Sequence, residues 1–345
     1  MEPSIHPVSI VPDDLVRKYL HSRGMPPEII EWKYFDRIFN GDRDRGYVAM
    51  HNGQVCAFLG FIPFEIGYRS QSWKASWLCD WSRAPIDAAR GTGRKLITEA
   101  MRGHDHLIGL AGSAIAQRIH PLIASRTFLH SGIRFERTLR LAAIQQKISR
   151  RIPLLRRVHL PKLGMLPLGL PLRRSARPLT KIVNGVSTKI EALLGVSCTD
   201  GWFPRYDMAY LEWQLARCPV IMCWTSYIPA DSRVPAAALL WRSVSSTGCW
   251  RLALLYEEGA KDEIGTVLKE SLQHIYTQGG VSVAILVSRL ETELAATIRD
   301  NGFRQCREAE PLYIYSGRST SQPIGEMRGL SYLDTDLGYR FPTHD

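Results

Sequence analysis

Pro85-Ile86-Asp87-Ala88-Ala89-Arg90-Gly91-Thr92-Gly93-Arg94-Lys95-Leu96-Ile97 is a glycine loop set between an apolar strand and an amphipathic helix. Before it, Ala75-Ser76-Trp77-Leu78-Cys79-Asp80-Trp81 has strand composition; after it, Leu96, Ile97, Ala100 and Met101 recur at helical spacing. A strand, a Gly-x-Gly turn and a helix start gather free backbone N–H groups and the positive end of a helix dipole at one point. That point suits an anion such as a pyrophosphate, with Arg90 and Arg94 within reach of it.

Two common phosphate motifs do not fit. The dinucleotide fingerprint needs a third glycine and an acid about twenty residues on, and neither is present. The P-loop needs Gly-Lys-Ser/Thr, whereas Lys95 follows Arg94 and precedes Leu96. Upstream, Tyr47 to Gly60 is a pair of apolar runs around Asn52-Gly53, a strong hairpin signal.

With the hairpin ahead of it, the loop resembles motif A of the GNAT N-acyltransferase superfamily: a strand, then Pro-x-x-Arg-Gly-x-Gly-x-Gly-x-x-Leu-Leu, then a helix. Aligned on Pro85 and on Leu96-Ile97, the last two glycines fall on Gly91 and Gly93, and the Arg-Gly pair falls on Ala88 and Ala89. Thr127 to Phe135 is similar to the family's closing helix and the entry into its last strands, so the resemblance spans about residues 5 to 145. It implies that acetyl-CoA or another acyl-CoA binds through Ser82, Arg83, Ala84, Arg90, Gly91, Thr92, Gly93, Arg94 and Phe128.

Acyl transfer to an amine needs a polarised carbonyl, a base for the ammonium and a route for the thiolate to leave. The resemblance gives the first task to backbone N–H groups near Ser82 to Ala84. Asp80, an ionisable residue among apolar neighbours, is the candidate base, with a pairing to Arg83 as its structural alternative; Glu65 is the second candidate. The family's acid tyrosine falls on Phe128, which leaves His130 or water for that role. A thiol with a pKa of about 8.5 also leaves without help. Trp73, Trp77 and Trp81, four apart, are expected on one face of a strand, as core or as a stacking platform. His104-Asp105-His106 lacks a third ligand, so no metal is expected.

The chain repeats itself. Glu31-Trp32-Lys33-Tyr34 matches Glu212-Trp213-Gln214-Leu215, Leu96 matches Leu268, and Ser131-Gly132-Ile133-Arg134 matches Asn301-Gly302-Phe303-Arg304, at offsets of 181, 172 and 170 residues. In the second copy Glu258-Gly259-Ala260-Lys261-Asp262-Glu263 replaces the glycine loop, and its acids repel a pyrophosphate. The resemblance therefore implies an α/β (α+β) chain of two tandem GNAT-like domains, each a mixed, mostly antiparallel sheet flanked by helices. The acyl-CoA-binding domain spans 1–145, a basic connector 146–199 and a degenerate copy 200–345.

Composition bounds the rest. The 345 residues are 45% hydrophobic and carry seven cysteines with no Cys-x-x-Cys pair; the start lacks a basic and an apolar leader region. A cytoplasmic protein is expected. The net charge of +11 is concentrated between Arg137 and Ile190, where thirteen Lys and Arg meet no acid. Residues 147–177 interleave paired arginines with Leu, Ile, Val and prolines. They suit packing across the two domains, a groove, or peripheral contact with the inner face of an anionic membrane; no interleaved aromatic favours nucleic acid. Three functions stay open. The first is acyl-CoA-dependent N-acyl transfer, acetyl transfer above all, to an amine of a sugar or cell-surface polymer precursor. The second is a FemAB-like aminoacyl transferase using charged tRNA. The third is a catalytically inactive GNAT-fold scaffold at a membrane surface.

Overall fold

The computed structural model describes residues 2–36, 39, 44–110, 112, 114–140, 179–183, 188–194, 201–229, 236–243, 248–256, 260–316, 324–331 and 333. Residues 147–177, for which surface-seeking segments are expected, lie outside them.

The first half runs β1 (Ser4–Pro7), α1 (Asp13–Ser22), α2 (Pro27–Ile30) leading into a π-helical turn (Glu31–Phe35), β2 (Gly46–His51), β3 (Gln54–Tyr68), β4 (Gln71–Arg83), α3 (Thr92–Gly103), β5 (His106–Leu110), α4 (Ala114–Ile123) and β6 (Arg126–Thr138). The second repeats the plan: β7 (Leu179–Val183), α5 (Thr188–Leu194), β8 (Trp202–Arg205), α6 (Met208–Leu211) with its own π-helical turn (Glu212–Ala216), β9 (Ile221–Pro229), β10 (Ala236–Ser243), β11 (Cys249–Tyr256), α7 (Lys261–Thr277), β12 (Ser282–Ser288), α8 (Thr292–Asp300) and β13 (Arg304–Ser316). Apart from β8, which pairs with β3, the two element orders correspond one to one.

Local chemistry explains the joins. Asn52 and Gly53 take positive φ values of 49° and 73°, the mirror-type turn that closes the β2–β3 hairpin as the sequence predicts. Leu96, Ile97 and Ala100 form the buried stripe of α3. Thr127 to Phe135, expected to begin as a helix, lies wholly in strand β6. The closing helix comes earlier, at α4, where Ile115, Ile119 and Ile123 recur at helical spacing.

The strands form one sheet in the order β1-β2-β3-β4-β5-β13-β6-β12-β11-β10-β9-β7. Its order is a palindrome of the repeat, with the last strand of each half exchanged. β13 pairs with β5 of the first half, and β6 pairs with β12 of the second. One face carries a core shared by both halves, including Ile62, Trp77, Ile108, Leu239, Trp241 and Leu286. On the other face, α3 covers one core and α7 with α8 another.

At the axis of the repeat the two π-helical turns meet. The Trp32 and Trp213 rings stack at 4.5 Å, Trp32 Nε1 donates to the Trp213 carbonyl at 2.9 Å, and Trp213 Nε1 donates to the Trp32 carbonyl at 3.1 Å. The sequence match between these two tryptophans is thus a contact as well as an equivalence.

Candidate functional site

Between β4 and α3 the chain makes a short 3-10 turn, Asp87–Ala89, and then passes through Gly91 at φ 78°, the left-handed conformation that glycine adopts without a Cβ penalty. Gly91 is the N-cap of α3 and no side chain accepts from the first-turn N–H groups. Those donors, with the helix dipole behind them, lie in the chain beside the exposed Arg90 and Arg94. Two neighbours act differently from the expected ligand contacts. Thr92 is buried and its hydroxyl donates to the Ala89 carbonyl at 2.7 Å, which pins the loop. A Cβ on Gly93 would lie 2.6 Å from the Trp81 ring, so glycine there makes room for an indole. Past the loop, Arg94, Ile97, Met101, Arg102, Leu122 and Ile123 line a groove of about 310 Å³ between α3 and α4.

Below the loop the sheet opens. β4 and β5 run parallel and pair only at Ala75–His106, Ser76–Leu107 and Trp77–Ile108. Beyond Trp77 the remaining six residues of β4 have no ladder partner on the β5 side. This unpaired interval, the β4–β5 gap, runs from Trp77 towards the glycine loop. Across its mouth, the Trp81 ring on the β4 side meets the His120 ring of α4 at 5.3 Å.

The gap is shaped by a bulge. Gly60 of β3 opposes Cys79 and Phe58 opposes Ser82, so Leu59 faces two residues, Asp80 and Trp81. Asp80 has φ 47°, a left-handed strand residue that costs about 1–2 kcal/mol for most side chains and less for Asp. The extra residue inverts the facing of the strand beyond it. Trp73 and Trp77 pack into the shared core whereas Trp81 packs on the α3 side, so the three tryptophans do not share one face. A one-residue insertion defeats period-two counting.

Asp80 is not paired with Arg83. Its carboxylate receives the Lys33 ammonium and the Tyr34 hydroxyl, both from the first π-helical turn. Lys33 is 2% exposed and Asp80 21%. Tyr34 is buried, and burial, followed by the adjacent Asp80 carboxylate, holds its phenol well above the ordinary value. Behind it, Arg45 donates to the Lys33 carbonyl, and burial lowers its guanidinium to about 10.

The remaining expected residues scatter. Ser82 Oγ lies 3.3 Å from the Tyr19 hydroxyl, the Ala84 N–H donates to the Cys56 carbonyl at 2.7 Å, and Arg83 is exposed at the end of β4. Glu65 is exposed five residues along β3 from Gly60, roughly 16 Å at strand rise, opposite Lys74 and Arg205. Phe128 and the exposed His130 belong to β6, which β13 separates from β5; Phe128 opposes Leu312 and packs on the shared core. Among the described residues no group of three or more His, Cys, Asp or Glu is placed to hold a metal.

Sequence reasoning missed His120. It is 7% exposed, its ring stacks on Tyr313 at 4.6 Å, and its Nδ1 shares a hydrogen bond with the Tyr315 hydroxyl. Burial lowers its pKa to about 4, so it is neutral at pH 7. A histidine on the inward face of a helix, one residue before Pro121, was the available signal.

No protein-family model matches the sequence, and no curated protein matches it. Solved structures do. A GCN5-related N-acetyltransferase from Anabaena variabilis aligns over 90% of this chain and 72% of its own, at 12% identity and a TM-score of 0.54. Saccharomyces cerevisiae N-myristoyltransferase with bound myristoyl-CoA aligns over 90% and 74%, at 12% identity and 0.53. An Enterococcus faecalis protein described as a probable N-acyltransferase aligns over 90% and 71%, at 10% identity and 0.55. The chain has a GNAT-like fold.

Proposed function

We propose that the chain is an acyl-CoA-dependent N-acyltransferase whose donor site lies in residues 1–145, with 200–345 as a companion domain that has lost donor binding. The observation that carries this is the β4–β5 ladder stopping at Trp77–Ile108 beside an uncapped helix start at Gly91. Those groups fit an acyl-CoA. The α3 N-terminus with Arg90 and Arg94 suits the pyrophosphate, the gap suits the extended pantetheine arm, and the α3–α4 groove lies next to the pyrophosphate position. Similar folds that bind or transfer acyl groups support the reading.

Bound acyl-CoA supplies a thioester. The unpaired edge of β4 offers backbone N–H groups to its carbonyl oxygen as charge develops there. The acceptor amine forms the C–N bond, the C–S bond breaks, and the thiolate takes a proton as it leaves; the amine's surplus proton passes to a base. With Lys33 and Tyr34 already on its carboxylate, Asp80 is better suited to position than to accept that proton. His120 lines the passage of the arm, with Nδ1 engaged by Tyr315. An amino group of a sugar or cell-surface polymer precursor remains the proposed acceptor.

Thermal unfolding with acetyl-CoA and with myristoyl-CoA tests the donor claim. Ligand at a hundred times its dissociation constant stabilises by about 2.7 kcal/mol. A shift with one and not the other sets the acyl length; no shift with either, on folded protein, overturns the reading.

A further inference from the structure

Three non-glycine residues among those described have positive φ: Asn52, Arg69 and Asp80. The first two lie in the tight connections flanking β3, where such a conformation is ordinary. Asp80 lies inside a strand, and a left-handed residue there persists only when its surroundings hold it. What holds it is unusual. A lysine almost removed from solvent and a buried tyrosine both direct their polar ends at one carboxylate. The sheet leaves space for them, since a Cβ on Gly60 would run into the Tyr34 phenol.

The internal repeat provides a control within the same molecule. In the second half β10 and β11 keep one register from Ala236–Tyr256 to Arg242–Trp250, with no bulge. The residues equivalent to Lys33 and Tyr34 are Gln214 and Leu215. The half with the bulge has the lysine and the tyrosine, and the half without it has neither.

We propose that Lys33 and Tyr34 are positioning residues of the donor site: by gripping Asp80 they hold the β4 bulge, which turns Trp81 across the sheet to the mouth of the β4–β5 gap. The proposal rests on reading that gap as the acyl-CoA site. The grip reaches further than β4. Lys33 follows Trp32 in the turn that locks onto Trp213, so the bulge is tied to the contact between the two halves.

The test separates the grip from the charge. In protein labelled with 5-fluorotryptophan, the Trp81 resonance is assigned with Trp81→Phe and followed beside acetyl-CoA binding by calorimetry. Lys33→Met leaves Asp80 without its ammonium partner; it is expected to shift the Trp81 resonance and to weaken acetyl-CoA binding about tenfold or more. Lys33→Met/Asp80→Gly leaves no uncompensated charge and puts at the bulge a residue that takes φ 47° freely. It is expected to restore the resonance and bring binding to within about threefold of wild type. Lys33→Met/Asp80→Ala, which lacks that freedom, restores neither. If Lys33→Met does not fold, a folded Lys33→Met/Asp80→Gly protein with the wild-type Trp81 resonance supports the proposal. An unshifted Trp81 resonance in folded Lys33→Met, or equal behaviour of the Gly and Ala double variants, overturns it. Wild-type protein that ignores acetyl-CoA while the Trp81 responses hold overturns the donor reading alone.

Discussion

The two halves share a strand–helix–strand unit that ends in opposite ways. In both, the parallel pair parts after a few residues, at Trp77–Ile108 in β4–β5 and at Leu252–Ile285 in β11–β12. Past that point the second half is tied shut. The half-buried Glu291 carboxylate accepts from the Tyr256 hydroxyl at 2.6 Å and from the Gly329 N–H at 3.1 Å, and Ser288 Oγ donates to the Met327 carbonyl at 2.6 Å. Residues 324–331 of the same chain lie there, held also by the two-pronged Arg289–Glu326 pair. In the first half two rings meet across the gap, beside a helix start without a cap. Parting of strands is a property of the fold; what stands at the parted ends decides whether a ligand has a place.

The largest expected effect tests the symmetry itself. Trp32→Ala and Trp213→Ala should each cost about 3–5 kcal/mol in urea unfolding, by equal amounts if the axis contact is shared as its reciprocal bonds indicate. Costs differing twofold would break the comparison at its centre.

Acid should act next, and on the first half. An ordinary histidine titrates near 6.5 whereas folded His120, surrounded by Trp81, Tyr313 and Tyr315, titrates near 4. The unfolded chain therefore binds the extra proton between those values. Stability is full above pH 6.5 and falls by on the order of 3 kcal/mol as pH drops to 4. In His120→Gln most of that slope should vanish, with His104 and His106, also lowered by burial, supplying the remainder.

Glu291→Ala removes the acceptor shared by the Tyr256 hydroxyl and the Gly329 N–H, at a cost of about 2 kcal/mol, and should leave acetyl-CoA affinity unchanged. A loss of affinity would mean that the closed end communicates with the open one. Smallest is the charge at the groove. Arg94→Glu should weaken acetyl-CoA binding by about 1.4 kcal/mol, whereas Glu263→Lys in the second half should leave that binding unchanged.

The range of each interaction sets how much of the molecule is legible in its sequence. The Asn52-Gly53 turn, the Gly91 cradle and the helix after it are local, and local patterns reveal them. The pairing of Trp32 with Trp213 is visible because duplication preserved both. Asp80 and Trp81 are misplaced by pattern reading because one inserted residue inverts every face after it and leaves no compositional trace. Phe128 falls in the site only if neighbouring segments stay neighbours. The topology instead places residues 304–316 beside β5. His120 is recognisable only once Tyr315, 195 residues away, is beside it.

The exchanged strands also set a timetable for synthesis. β5 pairs on one side with β4, for three residues, and on the other with β13. Residues 1–140 therefore leave a ribosome with one flank of β5 uncovered, and that flank is closed only after residue 316 has emerged. At about 5–20 residues per second the wait is on the order of ten seconds or more. During it β6, the strand destined for β12, is free to pair with β5 in the wrong half. A chain stopped before Arg304 should therefore be caught by chaperones, and should not accumulate as a small working first half.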